Sequence, residues 1–216
     1  ADYAKGNRFH SVWSVRQMPG IRLFGNAALS FLTKLSSGYW SLFDPTNGYT
    51  AVHTDVARHL PLGKISKRYF FETDMLFRLG TLRAAVVDVP MHARYADEVS
   101  NLRIGQVIGE FFVKNMRNAM KRIFYNYYLR DMSLASFELP VGILLLLFGV
   151  LFGACSWIHA SATGTTASSG TVMLAAMPVL VGVQLILAFI GHDVRATPEK
   201  AIHMRSRVAP EPEVAP

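Results

Sequence analysis

The chain has 216 residues, enough for one domain or for a small domain with a membrane anchor. Its hydrophobic fraction is 51% and its formal net charge is +7, yet no Asp, Glu, Lys or Arg occurs from Leu139 to His192. The single cysteine, Cys155, falls in that uncharged stretch, so a disulfide framework and a cysteine metal cluster are both excluded.

In chain order, Gly25 to Leu35 reads as a helix with apolar residues on one face. Within S-G-Y-W-S-L-F-D-P-T-N-G-Y-T, Ser37 to Thr50, the part F-D-P-T-N-G-Y reads as a turn by its Pro, Asn and Gly content. Val52 to Leu60 reads as a second helix, stopped by Pro61 and Gly63. In R-Y-F-F-E-T-D-M-L, Arg68 to Leu76, the acids Glu72 and Asp74 open a helix, where its dipole favours them. Leu82 to Val89 reads as a strand closed by Pro90, and Arg94 stands in the polar loop that follows. Alternation of this kind over residues 1–104 favours an α/β layer, with a core small enough to suit half a domain.

Between Gly105 and Arg130 apolar residues recur every three or four positions, and Lys114, Arg117 and Lys121 share a face. This predicts a helix lying among lipid headgroups; a helix packed on the globular part is the alternative. Leu139 to about Ile158 and Val172 to about Ile190 are each long and apolar enough for a ~30 Å hydrocarbon core. A Ser/Thr/Gly turn, Ser161 to Thr171, joins them. Lys and Arg flank both outer ends, which puts both termini in the cytoplasm. The segment 193–216, ending A-P-E-P-E-V-A-P, reads as a disordered cytoplasmic tail.

Two of these segments, the motif at Ser37–Thr50 and R-Y-F-F-E-T-D-M-L, precede V-D-V-P-M-H-A-R-Y-A-D-E-V-S-N-L, Val87 to Leu102, and then the hairpin. In that order they resemble the acceptor half of family 2 glycosyltransferases that load a sugar onto a polyprenyl phosphate. The dolichol-phosphate mannosyltransferases and bactoprenol-phosphate glucosyltransferases are of this type. The resemblance implies an α/β fold: residues 1–104 as the C-terminal half of a GT-A-like domain, 105–133 as amphipathic interfacial helices and 134–192 as a transmembrane hairpin. The opening A-D-Y-A-K-G-N-R-F looks like the strand that in this family follows the metal-binding Asp-x-Asp segment. No D-x-D, G-x-G-x-x-G or P-loop occurs in the chain. The resemblance therefore implies a fragment whose donor-binding half, with the ligands of a Mg²⁺ or Mn²⁺ ion, lies outside these residues.

The activity implied is metal-dependent, inverting transfer from a nucleotide sugar to undecaprenyl or dolichyl phosphate, at the plasma (inner) membrane. By family position, Asp44, Glu72 and Asp74 are the catalytic candidates, although Asp44 before Pro45 reads equally well as a turn residue. Arg8, Arg22 and Arg94 match arginines that contact phosphates, as a guanidinium fork suits. Asn47 and Gly48 would floor the acceptor site, and Ser100 and Arg103 would complete the loop. That loop departs from the family's R-x-x-G-x-S-K-L by an extra residue and by Asn101 in place of Lys. The partners implied are the donor, the lipid phosphate and the membrane, with a homo-oligomer left open. Nucleic acid is disfavoured because much of the basic charge flanks the spans. A processive synthase is disfavoured by the absence of Q-x-x-R-W. The alternative of a different class is a non-catalytic membrane subunit or a lipid-binding docking module.

Overall fold

The computed structural model describes residues 1–9, 20–91 and 104–206, with the side chains of 21–23, 104–108 and 205–206 outside that description. In chain order the elements are β1 (Tyr3–Asn7), α1 (Gly20–Ser37), β2 (Thr50–Val52), α2 (Thr54–His59), α3 (Phe71–Leu82), β3 (Val86–Pro90), α4 (Ile104–Phe124), α5 (Leu134–Thr163), α6 (Ser169–Arg195) and α7 (Ile202–Ser206). Two 3₁₀ turns, Leu62–Lys64 and Arg68–Phe70, precede α3, and a π-helical stretch, Tyr125–Arg130, follows α4. The chain divides into two units, Asn126–Arg195 and the remainder.

In the first unit β1 is the central strand, antiparallel to β2 and parallel to β3, with Lys5 opposite Asp88. Tyr3, Leu42, Val56, Leu76 and Leu79 form the buried core beside this sheet. Helix α3 approaches the end of α1 through bare backbone: a Cβ on Gly80 would lie 2.2 Å from the Ser37 carbonyl oxygen. Arg83 then turns left-handed (φ 59°) and ends the helix, its N–H and that of Ala84 returning to the Gly80 and Leu79 carbonyls.

The α/β half-domain expected from the sequence is not what folds. The described residues are mostly helical, and the sheet has only three strands, of five, three and five residues. The described residues therefore do not show a GT-A half with a sheet at its core. The physical reason lies in the expected strands. The run starting at Leu82 belongs at its beginning to α3, and only Val86–Pro90 pairs with β1. The segment from Val52 begins as strand, with α2 starting at Thr54.

Helices α1 and α4 pack on one another with polar residues inward. Ser36 Oγ donates to Asn115 Oδ1 at 2.8 Å, and Arg122 of α4 caps α1 by donating Nη2 to the Leu35 carbonyl at 2.9 Å. The chain beyond α6 also returns to this unit. Ala201 is buried, and Asp2 accepts hydrogen bonds from the Ile202 N–H (2.8 Å), the Ala85 N–H (2.8 Å) and His203 Nδ1 (2.6 Å). Burial pushes the Asp2 carboxyl up, but those hydrogen bonds outweigh it and hold its pKa below the usual value. Of the tail expected to be disordered from residue 193, 193–195 are the end of α6, Ala201 is buried, and Ile202 and His203 are held by Asp2; residues 207–216 lie outside the described residues.

In the second unit α5 and α6, of 30 and 27 residues, are long and apolar enough to cross a membrane. They meet through small residues: a Cβ on Gly149 would lie 2.7 Å from the Ala175 carbonyl oxygen, and one on Gly182 2.7 Å from the Leu146 nitrogen. At the other end Tyr127 donates its hydroxyl to buried Asp193 at 2.7 Å and packs edge-on against Phe189. Their outer faces carry exposed Leu144, Leu151 and Leu187, which point to membrane association.

Candidate active site

The site candidates converge where β1 ends. Strand β1 buries Lys5 completely, and its Nζ donates to the Asn47 carbonyl at 2.5 Å. Burial lowers the Lys5 pKa to about 8; the nearby carboxylates of Glu72 and Asp44, and more weakly Asp88, oppose that shift, while Arg8 adds to it. The next residue is glycine, and a Cβ there would meet Met91 Sδ at 2.5 Å and Asn47 Nδ2 at 2.9 Å, so both side chains would have to shift. Asn47 uses the room so left to donate Nδ2 to the Gly6 carbonyl at 2.7 Å, locking the 44–49 turn to the strand.

One residue past the strand, Arg8 meets Asp44. Nε donates to Oδ2 at 2.7 Å and Nη2 to Oδ1 at 3.1 Å, a two-point ion pair. The Arg8 N–H also donates to Oδ2 (3.3 Å), and the Thr46 hydroxyl donates to Oδ1 (3.2 Å). The Asp44 side chain is fully buried, whereas that of Arg8 keeps 28% of its surface. All the acceptor capacity of Asp44 is thereby turned toward Arg8 and its own turn. It acts as a support for the guanidinium, and no lone pair is left turned toward a proton or a metal.

Glu72 closes the other side. Half-buried at the start of α3, it brings Oε1 to where a Cβ on Gly48 would sit 3.6 Å away. Asp88, on β3 opposite Lys5, accepts from the Phe43 N–H at 2.7 Å and so holds the residue preceding Asp44. Burial raises its pKa; that backbone hydrogen bond opposes the rise, and Asp44 adds to it.

Asp74 is not part of this group. Its Oδ2 accepts from the Ser66 N–H (2.8 Å) and from Arg78 (3.2 Å), and its Oδ1 from Asn118 of α4 (3.2 Å). It is a buried joint between α3, α4 and the loop before α3, with no open face for chemistry. Of the other candidates, Arg8, Asp44, Asn47, Gly48 and Glu72 are brought together. Arg94, Ser100 and Arg103 lie outside the described residues, as does the side chain of Arg22.

Sequence reasoning missed Lys5 and Asp88. Lys5 sits in A-K-G, which carries no motif, and only its strand position opposite Asp88 reveals it. Asp88 between two valines fits an ordinary alternating strand. Among the described residues no three His, Cys, Asp or Glu side chains are placed to hold a metal ion. Comparison of the chain with family models, with curated proteins and with solved structures finds no match in any of the three.

Proposed function

We propose that this protein is a membrane-bound transferase that moves a sugar from a nucleotide-sugar donor to a polyprenyl phosphate, and that the group around Arg8 receives the lipid phosphate. The observation that carries the reading is the Arg8–Asp44 pair. A buried carboxylate holds a partly exposed guanidinium at a strand end, beside a glycine and an acid. A guanidinium fixed in this way meets a phosphate with little loss of side-chain freedom.

The chemistry asks little else of these residues. A phosphate monoester has a second pKa near 6, so the nucleophilic oxygen is mostly ionised at neutral pH and needs no strong base. That oxygen forms a bond to the anomeric carbon while the bond to the nucleoside diphosphate breaks, and the leaving group takes the electron pair. Catalysis then rests on positioning and on countering the negative charge of two converging phosphates. Arg8 supplies charge, Asp44 orients it, and Glu72 over Gly48 borders the place of the acceptor. Donor and cation are expected to be held by residues other than those described.

Lys and Arg on both outer flanks of the apolar pair favour a multi-pass arrangement in the inner membrane, with the globular unit and both ends in the cytoplasm. A lipid phosphate is presented at that same interface.

The test uses the full-length protein in membranes with polyprenyl phosphate, Mg²⁺ or Mn²⁺ and a panel of radiolabelled UDP- and GDP-sugars. Label entering an acid-labile lipid fraction is the expected result. No transfer from any donor, with lipid phosphate still bound, would instead make the protein a lipid-binding docking module.

A further inference from the structure

Helices α1 and α4 are built inside out. Among the described side chains of α1 the buried ones are Thr33, Ser36 and Ser37, while Phe24 is 77% exposed and Phe31 55%. On α4 the buried residues include Asn115, Asn118 and Arg122, while Val113 is 65% exposed, Met120 61% and Phe124 57%. A helix on a water-soluble surface does the reverse, turning its apolar stripe to the core and its polar side to solvent. Single exposed apolar residues are ordinary, but buried polar rows opposite exposed aromatic rows call for a cause.

We infer that the outward faces of α1 and α4 together form a foot that seats the globular unit in the headgroup region of an anionic bilayer. Two observations choose the bilayer over a protein partner. First, only residues 125–133 separate α4 along the chain from α5, a helix long and apolar enough to cross a membrane. Second, exposed Arg117 and Lys121 stand among the apolar residues of α4, and long cationic side chains in that setting reach up to lipid phosphates. The polar α1–α4 contact, with Ser36 bonded to Asn115 and Arg122 to Leu35, is already satisfied, so internal repacking that buried the aromatic rows would orphan those groups, and the rows stay outward. The sequence marks α4 as interfacial; α1 is the addition, and it makes the membrane contact two helices wide.

The inference does not depend on the transferase reading, and its test measures no activity. In a Cys155→Ser background, Phe24→Cys and Met120→Cys are each spin-labelled in the full chain and reconstituted into vesicles of phosphatidylcholine and phosphatidylglycerol. Leu62→Cys, at a site 60% exposed in the 3₁₀ turn, is the control. The expected result is a ratio of oxygen to nickel-chelate accessibility several-fold higher at Phe24 and Met120 than at Leu62. A nickel-chelate accessibility equal to the control at either site would overturn the foot. So would dipolar broadening between copies, which would assign the face to a second molecule. Labels at Phe31→Cys and Phe124→Cys replace the first pair if either variant fails to reconstitute.

Discussion

Lys5 is a cation with no surface of its own, and the 44–49 turn is built around it. The unfolded chain keeps its proton to about pH 10.5, the folded chain only to about 8. Between those values the unfolded state binds more protons, so stability rises with pH across that window, and a penalty of about 3 kcal/mol is present in full below it. Lys5→Met removes that titration. Wild type should therefore gain stability relative to the variant as pH rises from 8 to 10.5; parallel curves would refute the assignment. The two acids of α3 separate in the same way. Asp74→Ala strands the Ser66 N–H and Arg78 and should cost about 2–4 kcal/mol of stability, whereas Glu72→Gln removes the carboxylate that most offsets the burial of Lys5 and should cost less, about 1 kcal/mol. The resemblance grouped Arg8, Asp44 and Asn47 with Asp74 by motif position; the first three lie together at the end of β1, and Asp74 instead joins α3 to α4. Acids in a first helical turn look alike in sequence whether they face a ligand or a neighbouring helix.

Among the elements, the informative contacts are those where only glycine fits. Gly80→Ala would drive a methyl into the Ser37 carbonyl and prise α3 from the end of α1. A loss of about 2 kcal/mol or more is expected in denaturant unfolding, and an unchanged midpoint would mean that the two helices meet less closely. Gly149→Leu would do the same to α5 and α6, which touch at Ala175 and Val179. A cross-link between cysteines placed on the two helices should weaken in that variant. The apolar pair was legible from sequence because an uncharged run of about 20 residues is what a helix needs to cross a bilayer. Strands were harder. Short β-branched runs such as Val86–Val89 read alike in a small sheet and a large one, and the sheet's extent depends on pairing partners that no local pattern reveals. The inward polar rows of α1 and α4 were also hidden, because helical spacing gives the two faces without saying which one the fold buries.

The whole molecule combines an apolar helical pair, a helical globular unit with a three-stranded sheet, and a supported arginine at the end of its central strand. The chain after α6 closes onto Asp2, so the globular unit is assembled from segments on both sides of the apolar pair. The composition announced the division into charged and uncharged parts; it could not announce that return, which depends on one buried carboxylate. The central claim is that Arg8, oriented by Asp44, receives a lipid phosphate. Its most direct measurement is steady-state transfer by Arg8→Ala and Arg8→Lys in native membranes, with acceptor and donor varied separately. Arg8→Ala is expected to raise the apparent KM for polyprenyl phosphate about tenfold or more, at little change in the donor KM, with partial recovery in Arg8→Lys. Equal loss toward both substrates, or none toward the acceptor, would contradict it.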